Sequence, residues 1–325
     1  MRVLGGIVAT ALVLAACSSS ESAPGPVADA GPAPSDLPQA CTRGAKSADK
    51  PATCNGAAEL CSRSYADVVT PMAHNAMSAQ DDGFGVPNQH HGPARALADG
   101  VRGLMLDLHY FDPDTNQTDG GRVAGRSAMD QVYLCHGPCS FGKVRLLDGL
   151  CPITSFLDAN PGEIVSIIFE TYVDDADTAA VLEAAGLAEY AYVHSAGTPW
   201  PTLGELASTN KRLVVFLEKG GGKPPYLMPA YEGNLWDTPY SFETQADFTC
   251  ALGRGVAGSP LFLVNHWLGR PLADVAFAQE VNVASVLGRR VEECASAAGR
   301  PPTFVAVDFY DVGDLFKVVK KANGL

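Results

Sequence analysis

Eight apolar runs of strand length, each followed at once by a His, Glu, Asn or Asp, constrain this chain more than any other feature. They cover residues 68–73, 102–108, 132–135, 164–169, 190–193, 213–217, 261–264 and 304–307. Runs apolar throughout and rich in Val, Ile, Leu and Phe suit strands covered on both faces. Helix signals fill several gaps, at 93–99, 153–159, 177–185, 202–207 and 273–298. Strands alternating with helices imply right-handed crossovers and a parallel sheet, and eight strands favour closure into a barrel. The predicted class is therefore α/β, with one large domain over 41–325. The 325 residues accommodate a barrel of about 250 plus appendages.

Side chains alternate along a strand, so the polar residue ending each run fixes which earlier residues share its face. His74 goes with Met72 and Thr70, Asp107 with Met105 and Gly103, and His136 with Leu134 and Val132. Glu170 goes with Ile168 and Ser166, Glu218 with Phe216, and Asp308 with Ala306. Each set is mostly apolar or small until its last member, the pattern of a filled barrel with polar groups only at its mouth. Arg102 has the opposite parity to Asp107 and is expected to face the helices. The stretch 220–258, with three consecutive glycines and several prolines, reads as a long loop over the mouth.

The first residues predict export. Met1-Arg2-Val3 is a basic start, Leu4 to Leu14 an apolar run, and small residues precede Cys17. Residues 1–16 read as a signal peptide of the bacterial lipoprotein type, too short for a spanning helix, with Cys17 as the lipidated new N-terminus. Residues 17–40, rich in Ser, Ala, Pro and Gly, read as a flexible tether, and 41–64 as a cysteine-bearing collar on the barrel. The expected location is the extracytoplasmic side of the cell envelope.

The formal net charge is −13, and removing Arg2 with the signal makes it −14. That average field disfavours nucleic acid and anionic lipid, so membrane attachment is expected to rest on the anchor. Nine cysteines less Cys17 leave eight, an even number that reads as disulfides in an exported chain. Cys54 with Cys61, and Cys135 with either Cys139 or Cys151, are the expected local pairs.

Two histidines at separate strand ends, His74 and His136, fit a phosphodiester cleavage by general acid and base. One takes a proton from the attacking hydroxyl and the other gives one to the leaving alkoxide. Oxygen donors beside them would suit a hard divalent cation, Ca²⁺ or Mg²⁺. Glu218, Asn265, His266 and Asp308 end later strands and are candidate substrate-binding residues. His90-His91 is expected to be exposed and inert, and His194 has no role.

Several ordered motifs then carry a resemblance. They are Cys54-Asn55-Gly56 through Leu60-Cys61, His74-Asn75-Ala76, Gly100 to Asp107, Leu134-Cys135-His136, Ala159 to Val165, Trp200 to Glu205, Lys211 to Phe216 and Phe304 to Tyr310. Together they resemble the PI-PLC X-domain superfamily, and within it the secreted, cysteine-containing plant and fungal PLC-like phosphodiesterases. The resemblance implies a distorted TIM (β/α)₈ barrel that cleaves a phospholipid or glycosyl-phosphatidylinositol head group through a cyclic phosphate. It implies His74 as the base on the attacking inositol hydroxyl, His136 as the acid on the leaving group or the stabiliser of the phosphorane, and Asn75, Asp107 and Glu170 as cation ligands.

Two departures bear on that scheme. Met105 stands where a carboxylate is expected, and Asp107 where metal-independent members have an arginine, which argues for a cation. His109, two residues on, is expected to face the mouth and to supply part of what Met105 cannot. The sequence thus predicts a monomeric, lipid-anchored phosphodiesterase acting on a phospholipid or other inositol phosphodiester, with no nucleic-acid partner. The alternative is an inactive barrel that binds a lipid head group or glycan.

Overall fold

The computed structural model describes residues 41–44, 51–270 and 272–325. The expected signal, Cys17, the tether and residues 45–50 of the collar lie outside the described residues.

Among the described residues, eleven strands and seven α-helices follow in chain order. They are β1 (Thr70–Ala73), α1 (Pro93–Asp99), β2 (Gly103–Asp112), β3 (Gln117–Thr118), β4 (Val132–Leu134), β5 (Val144–Arg145), α2 (Leu146–Ala159), β6 (Val165–Thr171), α3 (Asp175–Ala184), α4 (Leu203–Ser208), β7 (Leu213–Leu217), β8 (Leu227–Pro229), β9 (Leu235–Asp237), β10 (Leu261–His266), α5 (Val275–Val281), α6 (Arg289–Ala298), β11 (Phe304–Val307) and α7 (Leu315–Ala322). Eight strands lie side by side in the order β8-β7-β6-β2-β1-β11-β10-β9, every pair parallel. They form a distorted TIM barrel whose ladder is not closed between β8 and β9 among the described residues.

Two of the eight staves differ from those the sequence predicts. Of residues 132–135, the first three form β4, which pairs antiparallel with the outer half of β2 and, with β3 and β5, makes a flap. Residues 190–193 contribute a single bridge, Ala191 to Leu213. Their places are taken by β8 and β9, inside the stretch read as a loop. Three-residue strands between glycines and prolines show no period, so nothing in their pattern distinguishes them from a loop. The predicted helix over 273–298 is three pieces, α5, a π-helical turn at Ala284–Gly288, and α6.

Alternation sorts the staves into two layers. Met72, Met105, Ile168, Phe216 and Ala306 pack together in the barrel, whereas Leu104, Leu106, Ile167, Val215 and Val305 pack against the helices. Gly103 lets β1 and β2 pack closely here, because a Cβ on it would stand 2.9 Å from the Met72 Cβ. The collar closes the bottom of the barrel: Cys54, Leu60 and Tyr65 join the inner cluster, and Tyr65 stacks on Trp200 and hydrogen-bonds Ser166 at 2.7 Å.

Helix boundaries follow local chemistry. The α1 helix starts with Pro93 in its first turn and stops at Gly100, whose φ of 113° an L side chain rarely adopts. A Thr202–Glu205 capping box starts α4. Four disulfides, Cys41–Cys151, Cys54–Cys61, Cys135–Cys139 and Cys250–Cys294, bear out the oxidised reading and select Cys139 over Cys151 as the partner of Cys135. Arg102 faces outward as predicted, paired with Glu163 at 2.6 Å and lying over Phe156.

Candidate active site

Strand register brings the chemistry to one end. Met72 aligns with both Gly103 and Ala306, so two residues on His74 stands between Met105 and Asp308. One step higher, Asp107 sits opposite Glu170, and Phe169 opposite Leu217 places Glu218 next in the row. His74, Met105, Asp107, Glu170 and Glu218, with Asn75, Tyr172, Arg254 and Trp267, line a cavity of about 390 Å³.

His74 is held on two sides. Its Nδ1 lies 2.8 Å from Asp308 Oδ1, and its ring stacks on Trp267 with centroids 3.7 Å apart. Asn88 Nδ2 donates to the same carboxylate oxygen at 3.1 Å. Asp308 thus faces His74 and does not line the cavity, unlike the substrate-binding residue the sequence suggests. Asn75 and Phe309, the residues just after His74 and Asp308, both take φ of +46°, and the backbone turns sharply as each stave reaches the mouth.

His136 is placed differently. It follows β4, not a barrel stave, and Leu134 and Val132 pack in the outer layer, so the parity expected for it fails. The side chain is exposed, does not line the cavity, and has no hydrogen-bond partner among the described residues. It still stands within the fields of His74, Asp308, Glu170 and His109. Its pKa is lowered from 6.5, first by hydration lost to the surrounding protein and next by the charge of His74.

The acid row is under charge stress. Burial pushes the Asp107 carboxyl well above the usual range, and the neighbouring Glu170 and Glu218 push it further. The Asp107 carboxylate has no hydrogen-bond or ion-pair partner among the described residues, and neither has the Asn75 side-chain amide. Burial raises Glu218 to about 7 despite its 2.8 Å pair with Arg254. Asp237 shares that guanidinium at 2.7 Å, and Tyr231 and Tyr240 each lie 4.5 Å from it. An unpartnered amide and carboxylate beside a second carboxylate, all oxygen donors, have the chemistry of a hard-cation site. Among the described residues no three His, Cys, Asp or Glu side chains converge as a ready-made ligand set.

Three further expectations change. His266 points out of the barrel, fully buried, with Nε2 donating to Val281 O at 2.9 Å and a pKa lowered to about 3. It is a neutral core histidine, as the inward parity of Leu261, Leu263 and Asn265 requires. Asn265 faces inward but beneath the mouth, fully buried, and holds Asp237 and the Thr238 carbonyl at 3.1 and 2.6 Å. It supports the Arg254 network and does not reach the cavity. His90 and His91 are half-buried and paired with Asp311 and Asp81 at 2.8 and 2.7 Å, not free.

His109 is buried behind Tyr172, stacked at 4.6 Å, with Nδ1 2.8 Å from Asp119. It lies beside the cavity but is not part of its lining. Sequence reasoning missed Tyr172, Lys219, Trp267, Tyr231, Tyr240 and Arg254. Parity from Glu170 reaches Tyr172, parity from Leu261 and Leu263 reaches Trp267, and Lys219 adjoins Glu218, whereas nothing local marks the other three.

A parallel barrel whose mouth carries an aspartate-held imidazole, a second imidazole and a row of carboxylates defines the class, a PLC-like phosphodiesterase barrel. The family model of the PI-PLC X domain matches residues 60–323, and the chain belongs to that family. An uncharacterised secreted protein of Arthroderma benhamiae is 28% identical over 303 residues, 84% of this chain. The chain spans 64% of that relative's length. A PI-PLC X domain-containing protein of the same fungus is 28% identical over 296 residues, 84% of this chain and 90% of its own. Among solved structures, a variant of the phosphatidylinositol-specific phospholipase C from Staphylococcus aureus superposes with a TM-score of 0.51 at 12% identity, over 81% of this chain and 93% of its own. That likeness is one of fold. The secreted relative and the four disulfides agree with export.

Proposed function

We propose that the chain is an exported phosphodiesterase that cleaves a phosphatidylinositol-type or glycosyl-phosphatidylinositol head group by attack of a neighbouring hydroxyl on phosphorus. The observation that carries this reading is the His74–Asp308 pair at 2.8 Å, stacked on Trp267 and open to the cavity. An aspartate on Nδ1 fixes the tautomer and leaves Nε2 as the proton acceptor.

His74 takes the hydroxyl proton as the new P–O bond forms. His136, protonated, gives its proton to the leaving alkoxide as the old P–O bond breaks, and the product is a cyclic phosphate. The carboxylates Glu170 and Glu218 accept hydrogen bonds from head-group hydroxyls. Asn75, Asp107 and Glu170 are the residues that would hold a Ca²⁺ or Mg²⁺ ion, which supplies charge neutralisation on the phosphoryl oxygens when bound. Lipidation at Cys17 would keep the monomeric barrel at a membrane surface, where such head groups lie.

A second reading, a binding barrel without turnover, is favoured by Met105, which lines the cavity beside His74 where a carboxylate would serve the reaction. A phosphodiester panel that includes phosphatidylinositol, glycerophosphodiesters and sphingomyelin separates the two. Turnover by the wild type that vanishes in His74→Ala supports the enzyme; head-group binding that survives His74→Ala with no turnover supports the binder.

A further inference from the structure

We propose that the Cys135–Cys139 disulfide is the positioning device of His136: it closes a five-residue ring, Cys135-His136-Gly137-Pro138-Cys139, that holds the imidazole at the mouth in place of a side-chain partner. This rests on the reading of His136 as an acid in the reaction. The two cysteines have Cα atoms 5.0 Å apart and are fully buried with Phe111 in a small cluster of their own, partly covered by Tyr133.

Two hydrogen bonds and one backbone reversal fix the ring to the barrel. The Cys135 N–H donates to Asp107 O at 3.3 Å, so one end hangs from the strand that carries the acid row. The Cys139 N–H donates to Thr118 Oγ1 at 3.0 Å, tying the other end to β3. Gly137 takes φ of +67°, which lets the backbone reverse just after His136. Within this frame His136 has no acceptor on either ring nitrogen among the described residues, whereas His74 and His109 each have an aspartate. A histidine with no carboxylate and no stave beneath it keeps its place only through the backbone that bears it, and the disulfide is what restricts that backbone.

So short a ring removes less chain entropy than the three longer disulfide loops, and among the four its loss should weigh most on the site relative to the fold. A shift of about 1 Å in a reacting group costs about 10²-fold in rate. The test is a double-mutant cycle on the full chain, with phosphatidylinositol in detergent micelles as the probe. It compares wild type, Cys135→Ser/Cys139→Ser, His136→Ala and the triple variant.

The proposal expects the disulfide-free protein to lose about 10- to 100-fold in kcat with little change in KM. It expects no further loss when the same change is made on His136→Ala. Additive losses overturn it, because the ring would then act on something other than His136. A His136→Ala protein as fast as wild type instead removes the acid role itself, and with it the proposed mechanism. Gly137→Ala, which keeps both cysteines but disfavours the left-handed turn, covers the case in which the serine variant fails to fold. A loss there that His136→Ala abolishes supports the proposal, and an unchanged rate contradicts it. If phosphatidylinositol is not turned over, NMR titration of the His136 ring decides. Return of its pKa toward 6.5 in the disulfide-free protein supports the proposal, and an unaltered titration overturns it.

Discussion

His74 and His136 stand at one mouth but are held by unlike parts of the molecule. His74 ends a buried barrel stave, with Asp308 on its Nδ1, Trp267 on its face and parallel strands on both sides. His136 rides on an antiparallel flap, exposed, with a disulfide ring as its frame. The barrel orients a side chain through other side chains that converge from distant parts of the sequence. The flap orients one through its own backbone. Strand ends of a barrel therefore tolerate long-range assembly, whereas a residue outside the ladder needs a local covalent constraint.

The comparison is sharpened first at His74. His74→Ala should lower kcat about 10³- to 10⁴-fold, the upper range for loss of a general base, and Asp308→Asn should follow it in direction. Steady-state rates of the two variants check this, and a small loss in His74→Ala would mean that the barrel-held imidazole is not the base.

The acid row of the barrel is the next test, read as stability. Glu218 has its folded pKa raised from 4.5 to about 7, so its contribution is most favourable below 4.5 and is lost as pH rises through 7. The difference amounts to about 3 kcal/mol, roughly 10² in the folding equilibrium. Urea denaturation at pH 5 and pH 8 should show this loss in wild type and a flatter profile in Glu218→Gln.

For the flap, His136→Ala should cost about 10²-fold at neutral pH. The loss is smaller than at His74 because a lowered pKa already leaves only a fraction of His136 protonated there. By the same sign, the alkaline limb of kcat against pH should lie below 6.5 in wild type and disappear in His136→Ala. A limb above 6.5 would assign the acid elsewhere. The smallest effect concerns the cation: EDTA should lower activity about tenfold with restoration by Ca²⁺, and Asp107→Asn should remove that response. Full activity in EDTA excludes the cation from the account.

Much of the barrel side was legible in the sequence, because burial on both faces leaves continuous apolar runs and alternation then assigns each residue to a layer. Met72, Met105, Ile168, Phe216 and Ala306 fall inside as their parity requires. The same rule applied to Leu261 and Leu263 would have turned Asn265 inward and His266 outward; proximity to a strand end was the weaker guide. The flap was misread because residues 132–135 have the composition of a stave, and an antiparallel pairing leaves no mark in so short a run. The staves β8 and β9 were hidden by their length. The pairing of His74 with Asp308, 234 residues apart, has no local signal. It follows only from the register that sets β1 against β11.

The most direct test of the two-imidazole site is ³¹P NMR of phosphatidylinositol micelles incubated with wild type, His74→Ala and His136→Ala in parallel. The account expects a cyclic phosphodiester resonance to grow with wild type and to be suppressed in both variants. A wild type that leaves the spectrum unchanged, or variants that produce the cyclic resonance as fast as wild type, would contradict it.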